Sequence, residues 1–266
     1  MRSSLTRVCI AALAAAAAVA ATAAGAAAQG FNANYLPIPR GRLRPFPLKR
    51  VELPPHLPSG RPFTVSGVTL REAAENSSAS TDGGGEVSRQ LVFAGRDRAG
   101  REWEVRTGGW THYQAAYVGD LDRNGVRDLV VAIGTGANGL GDPTHLVFLT
   151  FDREGRPNLF EATGFFDPRR GDIFDLADLD GDGRAELIHM AFDDGYWVTN
   201  LYLVREAAWS RVGGRFAGLT FPAYTRFTNR PNRRPVRPAP GRSPRAPDLI
   251  EEDRRRRQAP APRETD

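Results

Sequence analysis

Two unrelated motifs recur along the middle of this chain with one period, and that recurrence restricts the folds open to it more than any other feature. Val118 to Gly136 (VGDLDRNGVRDLVVAIGTG) and Leu176 to Gly195 (LADLDGDGRAELIHMAFDDG) share an acidic, Gly-containing pattern whose first acids, Asp120 and Asp178, lie 58 residues apart. Leu91 to Arg101 (LVFAGRDRAGR) and Leu146 to Arg156 (LVFLTFDREGR) share an apolar run closed by Asp-Arg-x-Gly-Arg, at an offset of 55, and a degenerate third copy begins at Leu201 (LYLVREAAWSRVGGRF). β-Branched and aromatic residues on both sides of a polar, Gly-containing turn read as a β-hairpin. Trp103, Phe160 and Trp209 follow the three turns and read as core side chains on the return strands. A common period for two motifs means a repeated supersecondary unit, and a unit of short strands without a convincing helix is a blade-like β-sheet. The expected fold is therefore all-β, built of antiparallel blade-like sheets. TLREAAEN, from Thr69, is the single short stretch of the core with helical periodicity.

In the first acidic stretch Asp120, Asp122, Asn124 and Asp128 occupy relative positions 1, 3, 5 and 9, with Gly125 at position 6. In the second, Asp178, Asp180, Asp182 and Glu186 do so, with Gly183 at position 6. Alternating residues of a tight turn can aim their oxygens inward, glycine permits the reversal, and the backbone carbonyl at position 7, Val126 or Arg184, can add a further oxygen. About six or seven hard oxygens suit Ca²⁺, whereas Mg²⁺ takes fewer protein ligands and zinc would need a His/Cys set. The alternative is an acidic turn without an ion, since Asp and Gly form turns unaided. Two copies, each crowding three or four carboxylates into nine residues, would repel themselves without a cation, so two structural calcium ions are expected. An EF-hand is excluded: position 12 is Val131 in one copy and His189 in the other, where that loop needs a bidentate Glu, and a strand-like run follows instead of a helix. Four carboxylates in the second loop, against three and the Asn124 amide in the first, rank the second as the tighter binder.

The pattern D-x-[DN]-x-[DN]-G-x-x-[DE], followed directly by an apolar strand and a Gly-rich turn, resembles the FG-GAP/VCBS repeats of integrin-α-type β-propellers, and RDLVVAIGTGANGLGDPTHLVFL is similar to that family's strand, turn, strand order. The likeness covers about two repeats, roughly Leu91 to Phe216, with Gly-Thr-Gly in place of the family's Gly-Ala-Pro turn and Glu186 in place of Asp at position 9. It implies propeller-type blades with calcium held in the loops, and it leaves function open between adhesion modules, lectin-like domains and parts of enzymes. Three blade-like units are fewer than the usual propeller minimum of about four. The ring is thus expected to be incomplete, to gain a degenerate blade from residues 63 to 88, or to be completed by self-association.

The ends differ in composition from the centre. Eight prolines lie between Gly30 and Pro62, eight between Arg226 and Asp266, and only four between. Charge follows the same boundaries: +5 over residues 30 to 62, +6 over 226 to 266, and −8 over Phe63 to Thr225. Residues 1–28, with Arg2 and Arg7 ahead of an alanine-rich run closing on Ala26-Ala27-Ala28, read as a cleaved signal peptide, which places the chain in the periplasm or outside the cell. Its one cysteine, Cys9, falls within that signal, so no disulfide chemistry follows export. Residues 29–62 read as a Pro/Arg-rich arm, 63–225 as the β domain, and 226–266 as a disordered basic tail. These arms, with Arg254 to Arg257, could grip an anionic polymer; solvated tails of an arginine-rich proteome are the alternative, and nucleic acid is not an expected partner.

No catalytic constellation emerges. Gly134, Gly136 and Gly139 spell G-x-G-x-x-G, but LGDPTHLVFL follows, which offers no helix to receive a pyrophosphate. His189 reads as a packed strand histidine, and Asp193-Asp194 before Gly195 as a hairpin turn ahead of a glycosidase pair. Trp110, Tyr113, Tyr196 and Trp197 could line a sugar face, with core packing the better reading. The function expected is an exported, calcium-binding, non-catalytic binding or adhesion-type module of the cell envelope that recognises a protein or glycan. A polysaccharide lyase or hydrolase on a propeller-like scaffold is the rival, and an envelope component tethered by its arms a third possibility.

Overall fold

The computed structural model describes residues 31–258 apart from 55–56, 58–61, 75–88, 109–111, 135–143 and 169–172. A short strand, β1 (Lys49–Val51), precedes three antiparallel sheets. The first runs β2 (Phe63–Val65), β3 (Val68–Ala74), β4 (Arg89–Arg96), β5 (Glu102–Thr107) in sequence order. The second runs β6 (Tyr113–Gly119), β7 (Asp128–Gly134), β8 (Thr144–Phe151), β9 (Pro157–Gly164), with β1 added beside β6. The third opens with β10 (Leu176–Ala177), β11 (Glu186–Asp193), β12 (Tyr196–Arg205) and β13 (Ala208–Arg211). A separate ribbon, β14 (Gly214–Phe216) with β15 (Leu219–Phe221), leads into β16 (Ala223–Arg226) and β17 (Pro235–Val236), which extend the third sheet from the first half of β12. One helix, α1 (Leu249–Gln258), completes the described chain. None of these sheets closes on itself.

The sequence period is the period of this four-strand unit. Each acidic loop joins the first and second strands of its sheet, β6 to β7 and β10 to β11. Each Asp-Arg-x-Gly-Arg turn joins the third and fourth, β4 to β5 and β8 to β9. The two turns repeat bond for bond. Asp97 accepts from the Arg101 amide at 2.9 Å and its Nε at 2.7 Å; Asp152 accepts from the Arg156 amide at 2.8 Å and its Nε at 2.6 Å. The third copy shortens to Glu206-Ala207, both at positive φ, the geometry of a two-residue hairpin turn. In the first sheet the β2–β3 connection is only Ser66-Gly67, which explains why the acidic motif occurs twice and the hairpin motif three times.

Strand alternation stacks the sheets. On β7, Leu129, Val131 and Ile133 join Leu70, Leu91 and Phe93 of the first sheet, while Val130 and Ala132 face Leu187, Tyr202 and Trp209 of the third. A sheet covered on both faces needs unbroken apolar strands, and β8 is buried at every residue. Trp209 lies 4.8 Å from Phe148 and 5.2 Å from Phe160 between ring centroids, so Phe160 and Trp209 fill the core as expected, while Trp103 is half-buried and packs against the core between the first and second sheets.

Two readings change. Residues 69–74 of the stretch with helical periodicity lie in strand β3 (Val68–Ala74): Val68 and Leu70 are buried and Leu70 pairs with Phe93, so period-two burial overrides a weak helical preference. The flanking arms are anchored to the β domain by particular side chains, while many of their other described residues are exposed. Tyr35, Leu36 and Ile38 are buried against Ile188 and Trp197 of the third sheet, and Phe46 and Leu249 enter the core between the second and third sheets. Arg233 donates to the Leu36 and Ile38 carbonyls at 2.8 and 2.6 Å, tying one arm to the other. Proline denies these segments ladder hydrogen bonds but leaves extended backbone free to carry apolar side chains into the core. Among the described residues no helix is long and apolar enough to cross a membrane; the expected signal, residues 1–28, lies outside the described residues.

Candidate metal centre

The two acidic loops share one hydrogen-bond scheme. The carboxylate at position 1 accepts from the glycine amide at position 6, Asp120 from Gly125 at 2.9 Å and Asp178 from Gly183 at 3.1 Å. The side chain at position 5 accepts from the amide at position 7, Asn124 from Val126 at 2.7 Å and Asp182 from Arg184 at 2.8 Å. The carboxylate at position 9 accepts from the amide at position 2, Asp128 from Leu121 at 2.8 Å and Glu186 from Leu179 at 2.7 Å. Both loops turn left-handed at positions 4 and 6, Arg123 and Gly125 in one, Gly181 and Gly183 in the other. Leu121 and Leu179, at position 2, are buried and pin the loops to the sheets.

This backbone gathers three carboxylates per loop. Oxygens of Asp120, Asp122 and Asp128 lie within 4.8 Å of one another, as do those of Asp178, Asp180 and Glu186. Burial pushes the Asp128 carboxyl up to about 8; the Phe151 and Leu121 amides oppose this, and Asp122 and Asp120 reinforce it. Glu186 is likewise pushed up to about 8 by burial, against the Leu179 amide and with Asp180, Asp182 and Asp178 adding to the rise. All the clustered donors are hard oxygens, so the chemistry of each set fits a hard divalent cation rather than zinc or copper.

Position 5 behaves differently. Asp182 does not join its cluster: Arg184 and Arg205 reach its carboxylate at 3.0 and 3.3 Å. Burial alone would raise it, but the Arg184 amide and the two guanidiniums hold it below the usual carboxylate range. Asn124 turns its amide nitrogen to the Phe151 carbonyl at 2.6 Å. The charge advantage read for the second loop is thus largely spent within the protein. Glu186, for all its extra methylene, opens β11 and meets the Leu179 amide as Asp128, opening β7, meets Leu121.

The loops also touch. Arg123 donates to the Asp182 carbonyl at 2.6 Å, Arg184 to the Asp122 carbonyl at 3.0 Å, and the Ala185 amide to the Leu121 carbonyl at 2.8 Å. Asp122 further accepts from the Ala207 amide at 2.7 Å, which draws the β12–β13 turn onto the first loop.

The remaining candidates separate. His189 is buried between Phe166 and Tyr202, and Asp194-Gly195 forms the β11–β12 turn. Asp193 accepts from the Arg245 amide at 2.7 Å and Asp194 pairs with Arg242, so these acids anchor the C-terminal segment. Tyr113, Tyr196 and Trp197 are buried; Trp110 and the glycines at 136 and 139 lie outside the described residues. Two features escaped the sequence reading. His145, buried, bonds Glu161 at 3.0 Å and Thr163 at 2.7 Å across β8 and β9. Five arginines line one cleft beside the first acidic loop. The His145 partners lie 16 and 18 residues away and the cleft arginines are spread from Arg123 to Arg205, so neither feature leaves a local pattern to read. No family model, curated protein or solved structure matches the chain.

Proposed function

We propose that the protein is a calcium-stabilised, non-catalytic binding module of FG-GAP/VCBS type, exported to the periplasm or beyond, that recognises a protein or glycan at the cell envelope. The observation that carries this reading is the hydrogen-bond scheme shared by two loops that each bring three carboxylates within 4.8 Å of one another. Asp128 and Glu186, pushed up to about 8, would regain their charge beside a cation, and each ion would cross-link positions 1, 3 and 9 of its loop. The stacked four-strand units, with loops and turns bonded across neighbouring sheets, support a blade-like arrangement.

Retention of the full chain on a panel of envelope glycans and surface proteins, with calcium and with chelator, tests the role. Calcium-dependent retention without turnover of the retained partner is expected. Release of cleaved product from any glycan would replace the binding module by an enzyme.

A further inference from the structure

We infer that the cleft beside the first acidic loop is a binding site for an acidic oligosaccharide. It encloses about 680 Å³ and is lined from four connections: the two acidic loops, the β8–β9 turn and the β12–β13 turn. Arg123, Arg153, Arg156, Arg184 and Arg205 supply five guanidiniums. Arg153 is exposed and makes no hydrogen bond or ion pair among the described residues. Arg123 and Arg205 each use a single donor, on the Asp182 carbonyl and carboxylate, which leaves the rest of each planar fork for a ligand.

The lining selects the class. Its side chains are all charged or amide, with no aromatic or aliphatic residue among them to hold an acyl chain. Cations arriving from four separate connections suit a ligand carrying several anionic groups, and the volume lies in the range that accommodates molecules far larger than one phosphate. Asp122, Asp152, Glu154 and Glu206 interleave with the arginines. These acids would repel a dense polyphosphate; Asp122 and Asp152 are already held by their own loop and turn, whereas Glu206, exposed and with no side-chain bond among the described residues, can accept hydrogen bonds from hydroxyls. Carboxylates or sulfates spaced along a hydroxyl-rich backbone, as in a uronate or sulfated oligosaccharide, match that alternation of fork donors and acceptors. The inference names a ligand for the binding role proposed above and rests on that role for its setting, while its chemistry needs no calcium.

Calorimetric titration of the full chain with tri-galacturonate, a sulfated trisaccharide, neutral tri-galactose and inorganic sulfate tests it. Tri-galacturonate or the sulfated trisaccharide should bind, with affinity falling as salt rises, while the neutral sugar and inorganic sulfate bind at least tenfold more weakly. Arg153→Ala and Arg205→Ala should each weaken the acidic sugar on the order of tenfold without shifting the melting temperature by more than a degree or two. Arg71→Ala, on the first sheet and outside the cleft lining, should not. Equal binding of acidic and neutral sugars, sulfate binding as tight as the trisaccharides, no binding at all, or unchanged affinity in both cleft variants would each overturn it. A calcium heat without sugar binding removes this site and leaves the module; sugar binding without a calcium heat does the reverse.

Discussion

Arg123 and Arg184 cross between the two acidic loops, each donating from its guanidinium to a backbone carbonyl of the other loop, at Asp182 and Asp122. The exchange couples two loops that lie 58 residues apart in sequence. Arg184→Ala, which removes both this bond and the half-exposed ion pair with Asp182, should cost about 1–2 kcal/mol. The Arg123→Ala/Arg184→Ala double-mutant cycle, read by urea denaturation, should show the two effects to be non-additive. Additive effects would mean that the loops fold independently.

Gly183 leaves room for that crossing. A β-carbon there would lie 2.9 Å from Arg123 Cδ, and its φ of +77° disfavours any side chain. Gly183→Ala should destabilise by about 1–2 kcal/mol, and Gly181→Ala, at similar φ but with nothing within 4 Å, by less. Thermal melts of the pair decide the order.

Burial holds the His189 imidazole down to about 4, with the Thr163 backbone hydrogen bond opposing and Arg211 reinforcing. The ring faces Phe166 and Tyr202, and Arg211 is the charge that bears on it. A depressed histidine is neutral when folded, so the unfolded chain takes up the proton first. The contribution is full above about pH 6.5, is lost as pH falls from about 6.5 to about 4, and totals about 3 kcal/mol. His189→Gln should flatten this part of the stability profile relative to wild type. A parallel profile would mean that the histidine does not titrate there.

Much of this architecture was legible because period-two burial and repeated turn chemistry are local. Asp97 and Asp152 each cap their own turn, so DRxGR announced its geometry. The spacing of Asp120 and Asp178 matched the four-strand unit for the same reason. The arms were not legible, because composition averages over a segment whereas packing depends on a few side chains. Tyr35, Leu36, Ile38, Phe46 and Leu249 are anchors diluted among prolines and arginines. Nor could sequence show that Asp182 spends its charge on Arg184 and on Arg205, a partner 23 residues away.

Leu249, fully buried, offers its amide to the Tyr202 hydroxyl at 3.1 Å and joins the core between the second and third sheets. Leu249→Ala should therefore cost about 2–4 kcal/mol. Limited proteolysis of the wild type should spare the segment up to α1; early cleavage between Arg226 and Leu249 would contradict a docked tail.

The carboxylate clusters make separate demands on the two loops. Asp122 is buried and accepts the Ala207 amide, whereas Asp180 is exposed and its one described bond is to the Asp182 amide, at 3.1 Å. Asp122→Ala should lose stability with or without calcium, by about 1–3 kcal/mol, while Asp180→Ala loses only the calcium-dependent part. Titrating calcium into the full-length wild type while following heat and melting temperature tests the central claim most directly. Two sites with dissociation constants of about 10⁻⁴ to 10⁻³ M are predicted, with a rise in melting temperature at millimolar calcium that chelator reverses and Asp180→Ala reduces. No heat and no shift in melting temperature would contradict the account, and leave both loops as ion-free turns.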